Sequence, residues 1–287
     1  ILNIILDPIF IFDLESFGGF GFGLGIAGAA MATVISQVVV FIVFIFMLFF
    51  KNHSYISFNL SDFTFSTDII WDIIKVGLPA SLSMIVMAVG QGVFNKILVH
   101  ISVNTVAAYQ VAGRLDMLVF LPIFSIAASL TTLVGMFYGA KEYGALRYII
   151  KYGIFSALLI TIISSIIVYT FAGHVVRFFT DDAAIVTIAV NFLQIFAFAY
   201  PFIAVGITTG RVLQGLGKGL PVLIITIVRV LGVSAPLALF FIFIMDKTVE
   251  WVWYSMILST IVAFGIGLTW LVSTLKTLPA SRQSLNN

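Results

Sequence analysis

An acidic side chain stands inside the first apolar stretch of the chain, where it could carry out ion chemistry. Asp7 follows Asn3 by four residues, so on a helix the amide and the carboxylate share one face. Pro8 removes a backbone donor and frees a carbonyl nearby. Charged side chains inside membrane spans usually face a cavity and mark an ion or proton path. The pattern indicates a proton or small-cation site at Asn3 and Asp7. The alternative is that Asp7 only ends a helix at the membrane interface.

The composition is that of a polytopic membrane protein. Hydrophobic residues make up 61% of the 287 residues, charged residues make up 9%, and the mean hydropathy is +1.19. Seven apolar stretches exceed the roughly 20 residues that a helix needs to cross a bilayer, and a shorter one precedes them. We predict spans at 1–12, 22–50, 69–100, 105–137, 148–172, 185–213, 219–245 and 251–275. Transmembrane β-strands are about 10 residues long and alternate polar with apolar residues. The sequence therefore predicts an all-α polytopic membrane protein.

Basic residues predict how these spans are oriented. One set of loops and ends holds Lys51, Lys141, Arg147, Lys151, Arg211, Lys218, Lys276 and Arg282. The opposite set holds Arg177 and Lys247. Because cytoplasmic loops carry the excess of Lys and Arg, we place the first set in the cytoplasm. The predicted location is the prokaryotic inner or plasma membrane, as a multi-pass protein.

The longest polar break divides the chain into two parts. Residues 51–68 are rich in Ser, Asn and Asp, and are predicted to form a cytoplasmic linker between lobes. Residues 1–50 would be two helices of an N-terminal lobe, and 69–275 a six-helix C-terminal lobe. A cytoplasmic tail would follow at 276–287.

A weak internal repeat relates the two parts. Asp7-Pro8 and Ala235-Pro236 each precede an apolar run, an outer loop and a long span. Paired proline-interrupted helices at equivalent places point to transporter binding sites. The acid is present in the first copy alone, since Ala235 stands where Asp7 stands.

Several other kinds of chemistry are disfavoured. The chain has no cysteine, so thiolate metal sites and disulfides are excluded. His53, His100 and His174 are far apart and lack the spacing of metal ligands. No nucleophile, base and acid set is visible, so an enzyme is not expected. The scattered basic residues argue against nucleic-acid binding. We expect a monomer whose partners are the lipid bilayer and a small organic substrate, and no cofactor apart from a coupling ion.

Short motifs along the chain resemble those of the multidrug and toxic compound extrusion (MATE) family. The similar segments are 28–37, 76–80, 107–115, 135–140 and 212–218, with Pro122 between the third and fourth. Each motif consists mainly of Gly, Ala and Pro in apolar sequence, and it is their order and spacing that carry the resemblance. The resemblance covers essentially the whole chain.

The resemblance implies twelve helices in two six-helix lobes around a central cavity. This chain would supply helices five and six of the first lobe and the whole second lobe, with the first four helices outside it. The first-lobe cation site of the family would then comprise Asn3, Asp7 and Thr33, together with an Asp on helix one. Some branches carry a second-lobe cation site, whose positions are here Met87 and Ile203. Neither side chain can bind a cation, so that mode is expected to be absent.

Polar and sulfur-containing side chains on the third span are candidates for a substrate cavity. Gln91 and Asn95 lie four residues apart and could bind a substrate or join helices by hydrogen bonds. Met84 and Met87 could form an adaptable wall for bulky apolar compounds, or simply pack. The charged side chains within or near spans have the same two interpretations, which are a structural role or a role in the substrate cavity. These are Lys96, Arg114, Asp116 and Arg229.

Three function classes follow from these observations. The first is a cation-coupled antiporter, using H⁺ or Na⁺, that exports amphipathic organic compounds or drugs by alternating access. The second is a lipid-linked oligosaccharide or polysaccharide flippase of the same superfamily, whose cavity would be rich in Arg and Lys. The third is an integral membrane enzyme, which would show an interfacial cluster of His, Asp or Glu. Sparse intramembrane charge disfavours the second class and the missing cluster disfavours the third. We therefore expect an antiporter that confers multidrug resistance.

Overall fold

The fold was analysed in a computed structural model that describes residues 1–13, 19, 21–50 and 64–279. All the regular structure in this part of the chain is helical, apart from an isolated bridge between Asp13 and Phe22. The described residues contain six helices long and apolar enough to cross a membrane, or seven if a bent helix pair is counted as one span. The predicted all-α polytopic fold is confirmed.

The chain divides into two compact units, Ile1–Ser66 and Thr67–Asn287. The first unit contains helices α1 (Leu2–Ile11) and α2 (Gly25–Phe50), which pack against each other. Residues 51–63, which hold most of the predicted linker, lie outside the described residues. The last two predicted linker residues differ from expectation, because Thr67 and Asp68 already belong to the next helix. An acidic side chain in a first helical turn is favourable, so Asp68 suits a helix start.

The second unit contains the other helices. In chain order they are α3 (Thr67–Ile101), α4 (Val103–Gly139), α5 (Tyr143–Arg177), α6 (Ala183–Ala197), α7 (Tyr200–Gly215), α8 (Leu220–Ile227), the π-helical segment π1 (Val228–Ser234), α9 (Ala235–Leu239), the π-helical segment π2 (Phe240–Ile244) and α10 (Glu250–Lys276). Helix α6 is capped at its N-terminus by Asp182, whose carboxylate accepts from the backbone N–H of Ala184 at 2.8 Å.

The sixth predicted span is a broken helix. Helices α6 and α7 meet at 60° across Phe198 and Ala199, whereas the sequence indicated one continuous span. Pro201 falls in the first turn of α7, where its missing N–H is tolerated. The hydroxyl of Ser165 on α5 donates to the carbonyl of Ala197 at 2.8 Å, which satisfies an acceptor that the break leaves free.

Aromatic side chains form the centre of the main core cluster in the second unit. The rings of Phe192 and Trp253 meet edge to face with centroids 4.7 Å apart, and Tyr109 stacks on Trp253 at 5.9 Å. Phe192 and Trp253 are buried. This cluster ties α4, α6 and α10 together and forms one side of the cavity described below.

Candidate functional site

The structure brings the three predicted first-unit ligands together. The side-chain amide of Asn3 donates to Asp7 Oδ1 at 3.1 Å and to Thr33 Oγ1 at 3.4 Å. The Thr33 hydroxyl in turn donates to the carbonyl of Ala29 at 2.9 Å. Among the residues that the structure describes, no basic side chain forms an ion pair with Asp7. The arrangement therefore combines a carboxylate with neutral oxygen atoms, which are the ligands that H⁺ or a small hard cation prefers.

Two backbone features position this cluster. Pro8 lies inside α1 and cannot donate to the carbonyl of Ile4, so the helix is weakened within a turn of Asp7. Gly28 brings α2 against α1, since a Cβ atom there would lie 2.2 Å from the carbonyl oxygen of Phe10. The close approach of the two backbones is what allows Asn3 on one helix to reach Thr33 on the other.

The second unit contains a partly open cavity of about 130 Å³. Its lining residues are Met87, Gly90, Gln91, Phe94, Tyr109, Phe196, Arg229, Val230, Ser234, Met256, Ser259 and Thr260. Of the residues predicted for a substrate cavity, Met87 and Gln91 are in this lining. Met84 is not in the lining and is 74% exposed, and Asn95 instead accepts from Gln110 at 3.4 Å.

Arg229 is the cavity residue whose role sequence reasoning left open. It stands second in π1, and insertions of π-helix are frequent at functional sites. Pro236 follows this segment and lacks the N–H that would bond to the carbonyl of Gly232. The proline was therefore the available signal of irregular helix geometry, although it did not indicate where the guanidinium lies.

A second buried polar contact joins α4 to α7. The phenol of Tyr200, which is fully buried, donates to Asp116 Oδ1 at 2.5 Å. Arg114 and Asp116 are two residues apart on α4 and so do not face each other, and the partner of Asp116 is Tyr200. Tyr200 and Asp116 are 84 residues apart, so no local sequence pattern could indicate this contact.

Removal of this phenol should destabilise the second unit. In Tyr200→Phe a partly buried carboxyl group loses its donor, which should cost about 1–3 kcal/mol of stability. Thermal unfolding of the intact protein in detergent measures the effect. Tyr148→Phe is the matched control, because that side chain is 70% exposed. Equal melting temperatures for the two variants would contradict a structural role for the contact.

Comparison with known proteins gives consistent matches along the chain. The family model described as MatE matches residues 79–240. The multidrug export protein MepA of Staphylococcus aureus strain N315 is 33% identical over 218 residues, which is 76% of this chain and 46% of that protein. The chain spans about half the length of the curated relatives it matches.

Solved structures extend the similarity to the fold. A MOP superfamily transporter from Pyrococcus furiosus is 32% identical with a TM-score of 0.88, covering 96% of this chain and 60% of that one. A multidrug resistance MATE family transporter in an outward-facing conformation is 31% identical with a TM-score of 0.87, at the same coverage.

Proposed function

This chain belongs to the MatE family of multidrug efflux transporters, and from that premise we propose that the protein of which it is part is a cation-coupled antiporter. It exports amphipathic organic compounds across the cell membrane in exchange for H⁺ or Na⁺. The observation that supports this proposal is the contact of Asn3 with both Asp7 and Thr33. No enzymatic activity is proposed.

Coupling in this proposal depends on the charge of Asp7. Binding of a proton or cation neutralises the carboxylate, and its hydrogen bond from Asn3 weakens, because such bonds are stronger to ionised acceptors. Pro8 then allows α1 to bend, since the helix lacks a backbone hydrogen bond at that point. Bending of α1 displaces the substrate from the first lobe of the transporter. Release of the ion on the other side of the membrane restores the straight helix.

Efflux of ethidium from proteoliposomes tests the proposed function. The intact transporter should export the dye when an inward H⁺ or Na⁺ gradient is imposed, because ion entry provides the free energy. An ionophore that dissipates the same gradient should stop export. Export that is unaffected by both gradients would overturn the antiport mechanism.

Ion coupling should not depend on the second-unit position Ile203. An aliphatic side chain cannot bind a cation, so Ile203→Ala should keep the gradient dependence of export within about twofold of the original protein. The ratio of efflux with and without the ion gradient measures this directly. A collapse of that ratio, with ethidium binding retained, would show that the second unit takes part in coupling.

A further inference from the structure

The second-unit cavity contains a positive charge without a carboxylate partner. Among the residues that the structure describes, the ion pair formed is between Lys75 and Asp72, far along α3 from the cavity. No acidic residue lines the cavity. The acid on the neighbouring helix, Asp116, accepts from Tyr200 instead. Among the described residues of this unit, Arg229 therefore has no acidic partner.

The surroundings of Arg229 make the lack of a carboxylate partner energetically unfavourable. Its guanidinium is partly buried, and Nη2 lies 2.8 Å from the sulfur of Met87, a neutral and weak acceptor. A charge removed from water is stabilised by pairing and by hydrogen bonds to strong acceptors. The remaining N–H groups of the guanidinium are in the geometry that matches planar anions. The cavity is thus built to receive an acceptor with negative charge.

The rest of the lining fits a small aromatic body attached to such an anion. Phe94, Phe196 and Tyr109 offer ring faces and edges. Ser234 also lines the cavity with a hydroxyl group, whereas the Thr260 hydroxyl already donates to the carbonyl of Met256 at 2.9 Å. The volume of about 130 Å³ is smaller than the roughly 300–1,000 Å³ of cavities for drug-sized ligands. It suits a charged head group on a single ring.

We propose that this cavity binds the carboxylate or sulfonate group of an aromatic organic anion through Arg229. The inference rests on the proposed export function and names an anionic class among its substrates. Met87 is the position at which some relatives are expected to carry an acid for a cation. Its neutral side chain leaves the guanidinium available, so the polarity of this cavity is positive.

Two fluorinated probes that differ in charge test the proposal. Binding of 4-fluorobenzenesulfonate and of 4-fluorobenzyltrimethylammonium to the intact transporter in detergent is measured by ¹⁹F NMR titration, without any ion gradient. The sulfonate should bind at least about tenfold more tightly than the ammonium compound. The reason is that only the sulfonate can accept a charge-assisted hydrogen bond from Arg229. Equal affinities would overturn the proposal.

Substitutions at the contact locate the binding. Arg229→Gln should weaken sulfonate binding by at least about tenfold, and Arg229→Lys by less, since a point charge is kept without the planar donors. Met87→Glu places a carboxylate against the intact guanidinium and should cause a similar loss. Met136→Glu is its matched control, because it introduces the same carboxylate at a methionine that is 62% exposed and outside the cavity lining, and it should stay within about threefold.

The Met87→Glu variant and its Met136→Glu control keep the test decisive if Arg229→Gln unfolds. Size-exclusion elution and thermal unfolding show which variants retain the fold. Sulfonate affinity that is unchanged in both Arg229→Gln and Met87→Glu would place the probe elsewhere and overturn the site. Failure of antiport is distinguishable, because a transporter without ion coupling would still bind the sulfonate at Arg229.

Discussion

Gradient-driven export should stop when Asp7 is replaced by Asn in the intact transporter. The amide can still accept the hydrogen bond from Asn3, but it cannot exchange a proton or hold a cation by charge. We expect at least about a tenfold loss of coupled efflux, with folding and membrane insertion close to unchanged. Ethidium efflux from proteoliposomes under imposed H⁺ and Na⁺ gradients measures the loss.

The neutral ligands and a surface acid provide the controls. Asn3→Ala and Thr33→Ala should weaken coupling less than Asp7→Asn, because each removes one uncharged contact. Asp181→Asn makes the same chemical change at an exposed position before α6 and should leave efflux unaltered. Normal drug resistance and normal coupled efflux in Asp7→Asn would mean that Asp7 only ends a helix, and the coupling mechanism would be wrong.

A methyl group at Gly28 should separate the two helices of the first unit. In Gly28→Ala the new Cβ would lie 2.2 Å from the carbonyl oxygen of Phe10, and a backbone atom cannot rotate out of its way as a side chain can. We expect a loss of about 1–3 kcal/mol in stability from overpacking. Coupled efflux should also fall, since the Asn3–Thr33 contact is already 3.4 Å long and would be broken.

Gly113→Ala is the matched control for this substitution. A Cβ atom at that helical position has no heavy atom within 4 Å. Alanine should there raise stability by up to about 1 kcal/mol, because it favours helix more than glycine does. If the close packing of α1 and α2 matters, thermal unfolding shows changes of opposite sign in the two variants, and efflux falls in Gly28→Ala alone. A Gly28→Ala protein as stable and active as the control would contradict it.

Hydropathy was sufficient to predict the helical spans, because the length of an apolar run is set by the thickness of the bilayer. It could not predict the break before Pro201, since apolar content is the same in a straight helix and in a bent one. The Asn3–Asp7 pair could also be predicted from the sequence, because both side chains lie on one helix and helical spacing fixes their separation.

Contacts between different helices could not be predicted from hydropathy or helical spacing. Asp116 could be excluded as a partner of Arg114 by spacing, but Tyr200 lies 84 residues away and no local pattern relates them. Arg229 was recognised as an unusual charge in an apolar span. Its place in a cavity depends on the π-helical geometry of π1 and on which helices pack around it, and neither is encoded in periodicity.

The break between α6 and α7 has a consequence for how this span enters the lipid. At 15 and 16 residues, each half is about 22–24 Å long, which is less than the roughly 30 Å of hydrocarbon in a bilayer. Either half inserted alone would leave terminal N–H and C=O groups at membrane depth without partners. The two halves therefore gain their free energy of insertion only as a pair. The joint also depends on α5, because the Ser165 hydroxyl, which is shared with the carbonyl of Thr161, donates to the carbonyl of Ala197 exposed there.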